Sequence, residues 1–326
     1  GRADLAVQNI TFDNKLQPET LTRLALGVVA NTQGSVRGEG EITWDEAGVK
    51  STGAFTTDNL DFAAAFGPVK GVAGTIRFTD LLGLVTEPDQ QLKIASINPG
   101  IEVNEGLITY TLQPDFVISV KGGVWPFVGG VLQLMPTQMA VGTDAGQTYT
   151  LVVTGADAAL FVQRLEISNL NATGTFDGTL PLIFDQNGGR IEGGQLQSRP
   201  PGGNVSYVGE LTYEDLSTMA NFAFATLRSL NYQNMTIGMN GALEGEILTR
   251  ISFSGVKQGE GTSQNFLTRK IASLPIRFNV NLRAPFFQLV SSFKSLYDPA
   301  LVRDPRSIGL LDGDGVPRPD LVAPTP

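Results

Sequence analysis

Two adjacent carboxylate pairs, Asp45-Glu46 and Glu214-Asp215, have the side chains that acid and base catalysis at a glycosidic bond would need. Each pair falls at a turn or a helix start, where acidic residues cap exposed backbone N–H groups, and capping accounts for both. The run Asp312-Gly313-Asp314-Gly315 begins like a calcium loop but lacks the downstream glutamate that would close the shell. Arg277 and Arg283 could hold a phosphate, although ion pairing on the outer face of a sheet explains them without a ligand. Trp125 and Phe127 stand between paired glycines in GGVWPFVGG (122–130), as core anchors or, failing that, as contacts to a lipid or other ligand.

Absent residue types narrow the chemistry further. The 326 residues include no Cys and no His. Thiolate nucleophiles, disulfides, Cys/His zinc sites and Ser-His-Asp triads are therefore excluded. The expectation is no catalytic set, no metal and no cofactor. A net charge of −9 argues against general nucleic-acid binding. The charge is uneven: residues 1–249 carry 13 Lys/Arg against 26 Asp/Glu, whereas residues 250–306 carry 9 against 3. A basic end of this kind is an ordinary solvated surface or one that faces anionic headgroups or an acidic partner.

Strands must position whatever function these residues have. With 41% hydrophobic residues the chain is globular, and its longest apolar runs, Leu24–Ala30 and Val124–Met135, are too short or too glycine-broken to cross a bilayer. A soluble piece of a longer or processed protein is expected. Apolar residues alternate at Ile42/Trp44, Ile76/Phe78, Ile108/Tyr110/Leu112, Ile118/Val120, Leu132/Leu134 and Leu151/Val153. The alternation resumes at Leu180/Leu182/Phe184, Ile247/Ile251/Phe253 and Ile276/Phe278/Val280/Leu282. A loose cassette precedes several of these runs, a glycine, three or more residues, a second glycine and then a strand, as in GTFDGTLPLIF (174–184) and GALEGEILTRISF (241–253). Glycine there permits bends and bulges between strands. Amphipathic helices are predicted at 212–230 and 285–297, with shorter ones at 18–29, 157–165 and 264–273.

Several phrases together carry a resemblance: IASINPGIEVNEGLITYTL (94–112), GGVWPFVGGVLQL (122–134), GTFDGTLPLIFDQNGGRIEGGQL (174–196) and GELTYEDLSTMANFAFATLRSLNY (209–232). MNGALEGEILTRISFSGVKQG (239–259) and FLTRKIASLPIRFNVNLRAPFFQLVSSFKSLYDP (266–299) add to it. They resemble the C-terminal part of the YdbH-like family of the AsmA superfamily, whose domain has also been labelled "dicarboxylate transport", a label not taken here as a function. The resemblance covers residues 60–300 well and the preceding segment more loosely.

What the resemblance implies is a periplasmic bridge in a Gram-negative envelope, anchored to the inner membrane by an N-terminal segment outside this sequence. It moves phospholipids along an apolar groove without chemistry. The expected fold is mainly β: long twisted antiparallel sheets curled into that groove, with a few short amphipathic helices. Residues 1–302 form the groove region and residues 303–326 a Pro/Asp-rich tail. Ile76, Phe78, Ile108, Tyr110, Leu112, Trp125, Leu132, Leu134, Leu180, Leu182, Phe184, Ile247, Ile251, Phe253, Ile276, Phe278, Val280 and Leu282 are the expected groove lining. Phospholipid is the expected cargo, a small outer-membrane lipoprotein the expected partner by strand addition near 275–283, and residues 285–297 a membrane-interface contact. The main rival is a structural or interaction protein of the envelope with a closed β-sandwich core and a partner-binding sheet edge. A carbohydrate-active or adhesive β-protein is the weaker one.

Overall fold

The computed structural model describes residues 1–21, 29–64, 67–98, 102–140, 146–164, 170–185, 188–207, 230–243, 246–255, 257–258 and 278–285. Every alternating run named above that falls within them is a strand. The first strands are β1 (Arg2–Phe12), β2 (Ala30–Asp45), β3 (Gly48–Ala64), β4 (Gly67–Asp80), β5 (Val85–Thr86), β6 (Gln90–Ile97) and β7 (Val103–Gln113). They are followed by β8 (Val117–Phe127), β9 (Gly130–Leu134), β10 (Thr137–Ala140), β11 (Gln147–Asp157), β12 (Leu170–Ala172) and β13 (Thr175–Asp185). The last are β14 (Gly188–Ser198), β15 (Gly203–Tyr207), β16 (Leu230–Tyr232), β17 (Asn234–Ala242), β18 (Glu246–Ser254), β19 (Lys257–Gln258) and β20 (Phe278–Pro285).

A 16-stranded antiparallel sheet dominates, in the order β1-β2-β3-β4-β6-β7-β8-β9-β11-β13-β14-β17-β18-β20, with β5 and β10 attached at β4 and β8. It is open, because its terminal strands β1 and β20 do not pair with each other. Eight of its thirteen steps join strands consecutive in sequence, mostly as hairpins, and five skip one or two strands. Asp45 closes one such turn by accepting the Ala47 N–H at 2.8 Å, the capping role expected for its carboxylate.

Bulges recur across the sheet, and three of them share one construction. Gly71, Gly155 and Gly193 have φ of +62°, +73° and +69°, a left-handed conformation costly for other residues. Each donates its N–H to an Asx side chain on a neighbouring strand: Asp61 at 2.7 Å, Asp177 at 2.8 Å and Asn240 at 2.7 Å. The side chain thus replaces the ladder acceptor that the extra residue displaces, and the bulge bends the strand at no loss of hydrogen bonding. Pro181 sits in another irregularity, between the pairs Thr179↔Gln195 and Leu182↔Ile191, which lets a proline occupy an inner strand.

The remaining four strands form a second sheet, β12-β15-β16-β19. Its order repeats the order β13-β14-β17-β18 of the large sheet, and each small strand is continuous in sequence with its counterpart across a few residues. It is the same four strands turned at a corner. The corner is held by the Thr173 N–H on the Asn204 carbonyl (2.8 Å), the Arg199 N–H on the Thr175 carbonyl (2.7 Å) and the Tyr232 hydroxyl on the Thr173 carbonyl (2.6 Å). A Cβ on Gly202 would lie 1.9 Å from the Tyr232 carbonyl oxygen, so only glycine fits that turn.

Helices are few. Among the described residues they are α1 (Pro18–Leu21), α2 (Ala158–Arg164) and a single 3-10 turn at Pro114–Phe116, and no helix is long and apolar enough to cross a membrane. α2 matches the helix predicted at 157–165. Of that predicted at 18–29, Pro18–Leu21 is helical and 22–28 lie outside the described residues. The helices predicted at 212–230 and 264–273, and the tail from 303, fall outside the described residues, except that Leu230 begins β16. Of 285–297 only Pro285 is described, and it ends β20 rather than opening a helix.

Candidate functional site

Directly opposed residues of an antiparallel pair project to the same side of a sheet, so the register alone traces the apolar face. Phe55 opposes Ile76, and two residues along β4 from the Gly74 neighbour of Ile76, Val72 opposes Ile94. Leu92, on the same side of β6 as Ile94, opposes Ile108, which opposes Gly123. From Gly123 the line continues through Leu134, Leu151 and Leu180. Beyond Gly178, which shares the face of Leu180, it runs Leu196, Ile237 and Ile251. One apolar row thus crosses the sheet from β3 to β18.

Parallel rows flank it. On one side Trp125 opposes Leu132, which opposes Val153, and these are 4%, 6% and 1% exposed. On the other, Tyr110 opposes Val120, Leu112 opposes Ile118, and Tyr149 opposes Leu182. Leu182 continues to Ile191, which opposes Gly241, and Gly241 opposes Ile247. Edge-to-face aromatic pairs reinforce this side: Phe55 with Phe78 at 6.0 Å and Tyr149 with Phe184 at 5.6 Å. The reverse face is wet, with Arg77, Lys93, Lys121, Gln133, Thr179, Gln195 and Arg250 exposed along it.

The two ends of the strands differ. At the end where the corner lies, α2 turns Ala158 and Val162, one helical turn apart, into the same cluster as Trp125, Val153 and Phe176. The turned-over strands add Ala172, Leu230 and Tyr232, the last 5.8 Å from the Phe253 ring. Arg164, at the end of α2, donates to the Glu102 carbonyl and pins the helix across the strand ends. The opposite end carries exposed apolar side chains at successive connections: Trp44, Val49, Leu82, Phe116 and Met135.

The expected lining residues therefore fall into two groups on one face. Tyr110, Trp125, Leu132, Leu182, Ile247 and Phe253 are buried beneath neighbours, whereas Ile76, Phe78, Ile108, Leu112, Leu134, Leu180, Phe184 and Ile251 are half-buried. Phe278, Val280 and Leu282 lie in β20, registered to Phe253, Ile251 and Thr249, and Ile276 lies outside the described residues. The alternation rule missed Leu60 and Phe62, Val69 and Val72, Ile94 and Ile97, Phe176, and Ile191, all in the same core. Val69/Val72 are spaced by three, because the extra residue at the Gly71 bulge resets the alternation, and Ile94/Ile97 keep step with them across the ladder. An i, i+3 apolar spacing beside a glycine is the signal that finds such positions.

Polar groups on this face are few. The Trp125 indole lies flat across two strands: a Cβ on Gly106 would come 1.9 Å from its Nε1, and one on Gly123 2.4 Å from its Cη2. Among the described residues neither Trp125 Nε1 nor the Tyr110 hydroxyl has a hydrogen-bond partner, and burial pushes the Tyr110 phenol up well above its ordinary pKa. Burial likewise pushes Tyr232 up to about 12. Near the corner, the Arg199 guanidinium grips Asp177 through two bonds of 2.6 Å and holds its carboxyl below the usual carboxylate range, helped by the Gly155 N–H. That cluster ties a bulge to a corner, a structural use of charge. Among the described residues no group of three or more Asp or Glu is placed to hold a metal ion.

Comparison with curated proteins and with solved structures gave no match. A family profile described as YdbH-like, intermembrane phospholipid transport protein YdbH, matches residues 1–306, and so takes in the N-terminal segment where the resemblance in sequence was looser. An open antiparallel sheet with one continuous apolar face, covered by a profile of that extent, identifies this chain as a member of the YdbH-like family of intermembrane phospholipid transport proteins.

Proposed function

We propose that the apolar face is the wall of a groove along which phospholipid acyl chains pass through the periplasm between the inner and outer membranes, with headgroups in water and no chemical step. The unbroken row from Phe55 to Ile251 on one side of an open sheet carries this reading. Each buried CH₂ contributes roughly 0.8 kcal/mol wherever it sits on such a wall, so an acyl chain shifts along it with small barriers. A catalytic group would add nothing to that movement. Bulges that bend strand after strand favour a curled sheet over a flat one.

Trp44 and Trp125 are the two tryptophans of the chain. In Trp44→Phe protein the remaining indole reports from the apolar face. Phosphatidylethanolamine with brominated acyl chains should quench its fluorescence relative to the unbrominated lipid. Equal emission with both lipids rejects the groove.

Full burial of Trp125, Leu132 and Val153 favours a second reading, an envelope interaction protein whose face is simply its closed core. That protein would bind no phospholipid and would show no bromine quenching.

We further propose that β20, last in the strand order of the described residues, receives a strand from a small outer-membrane lipoprotein. Alternate residues of β20 point their N–H groups toward β18 and away from it. Of Asn279→Pro and Val280→Pro, one should therefore loosen β18 pairing and the other should abolish partner crosslinking while the fold persists. Full crosslinking to envelope proteins in both variants rejects the docking edge.

A further inference from the structure

We propose that the Tyr110 hydroxyl and the Trp125 indole N–H are hydrogen-bond donors set into the lipid path, which select cargo with ester-linked acyl chains by binding the ester carbonyl oxygen. The proposal rests on the groove reading above and adds a chemical class of cargo to it.

Both side chains are more than nine-tenths buried, Tyr110 8% and Trp125 4% exposed, and both polar atoms lack a partner among the described residues. A buried donor without an acceptor carries its full desolvation penalty, so natural cores fill such positions with an apolar residue or supply the acceptor. Phenylalanine would fill either place on this face without that penalty. The nearest polar side chain across the ladder from Tyr110 is Gln90, and its amide is committed elsewhere. Gln90 Oε1 accepts the Arg77 N–H at 2.9 Å, and its Nε2 donates to the Glu87 carbonyl at 3.2 Å.

The placement of the two donors also fits a path rather than one fixed site. Ile108 and Gly123 oppose each other, Tyr110 lies two residues beyond Ile108, and Trp125 lies two residues beyond Gly123 in the opposite direction along the strands. At about 3.3 Å per residue the backbone positions of Tyr110 and Trp125 stand about 13 Å apart along the strands. The two residues thus occupy separate positions along the face. Tyr110 borders half-buried Ile108 and Leu112, on the side facing the uncovered strand ends, and Trp125 lies deeper, toward α2. A phenol whose pKa is raised stays protonated, and an indole has no acceptor, so both groups act as donors throughout the physiological range. Hydrocarbon chains contribute no acceptor, whereas an ester carbonyl does. An ether linkage in the same position offers a weaker and differently directed oxygen.

The test is native mass spectrometry of the full 326-residue chain offered equal amounts of diacyl phosphatidylethanolamine and its dialkyl ether analogue of matched chain length. The wild-type protein should retain the ester lipid several-fold over the ether. Tyr110→Phe should bring the ratio toward one, and Trp125→Phe should lower it. Thermal denaturation of lipid-free Tyr110→Phe supplies a second readout. A donor reserved for cargo predicts an unchanged or raised midpoint, while a hydroxyl with a structural partner predicts a lower one. Equal retention of ester and ether lipids by the wild type overturns the proposal and leaves the groove standing. Ester preference surviving in both variants overturns it too. Retention of neither lipid overturns the groove itself and this proposal with it.

Discussion

Trp125 shows how single residues shape this face, because its packing depends on what is missing opposite it. Gly106 and Gly123 leave a flat shelf on which the indole rests, and a methyl group on Gly106 would stand 1.9 Å from Nε1. Gly106→Ala should therefore destabilise the fold by about 1–3 kcal/mol through overpacking, read as a lower urea midpoint. An unchanged midpoint would mean that the indole moves freely and is no fixed part of the wall. Asp177 makes a pH prediction at the same scale. Its folded carboxyl titrates below its unfolded value, because Arg199 and the Gly155 N–H favour the charged form. The stability it contributes is thus present above the unfolded pKa of about 4 and is lost as pH falls through the lower folded value. The stability difference between wild type and Asp177→Asn should shrink as pH is lowered below about 4. A difference that stays constant from neutral to acid pH rejects this role.

Among the elements, the corner that turns four strands over is the least replaceable. Gly202 has φ +101° and faces the Tyr232 carbonyl at close range, so a side chain is opposed both by its own backbone and by a neighbouring strand. Gly202→Ala should cost about 2 kcal/mol. The loss should be local: amide exchange at Leu230–Tyr232 should quicken while β2, β3 and β4, far along the sheet, keep their protection. Uniform loss of protection would instead make the large sheet and its turned-over extension a single cooperative unit. The bulge glycines follow a related logic. Their N–H groups are met by Asp61, Asp177 and Asn240, so each bend carries its own hydrogen-bond partner and survives in the middle of a long sheet.

For the whole molecule, the decisive quantity is how much of the apolar face stays reachable. Phe184 and Ile251 are half-buried, whereas Val153 is 1% exposed beneath its neighbours. A carboxylate at Val153 has no water to turn to and should unfold the protein, since an unpaired buried charge costs several kcal/mol. Phe184→Asp and Ile251→Asp should leave folded protein, by circular dichroism, that retains much less phospholipid. If all three variants unfold alike, the face is a closed core, and the envelope interaction protein becomes the better account.

The sequence by itself determined the strands, the wet and dry sides of most of them, and the family. Alternation with a period of two is a property of neighbouring residues, and Ile108/Tyr110/Leu112 or Leu180/Leu182/Phe184 express it without help from the rest of the chain. The missing His and Cys bounded the chemistry equally directly. Tertiary structure alone decided three things. Bulges displace the alternation, so Val69 and Ile97 joined the buried face through pairing partners distant in sequence. The turn of four strands into a second sheet depends on Thr173, Gly202 and Tyr232 meeting across three separate segments, which no local pattern encodes. And whether an apolar residue on the common face is covered, like Val153 at 1% exposure, or left half-open, like Ile108, follows from which segments pack around it. Hydrophobicity is written residue by residue, but burial is shared among every chain segment that meets at the site.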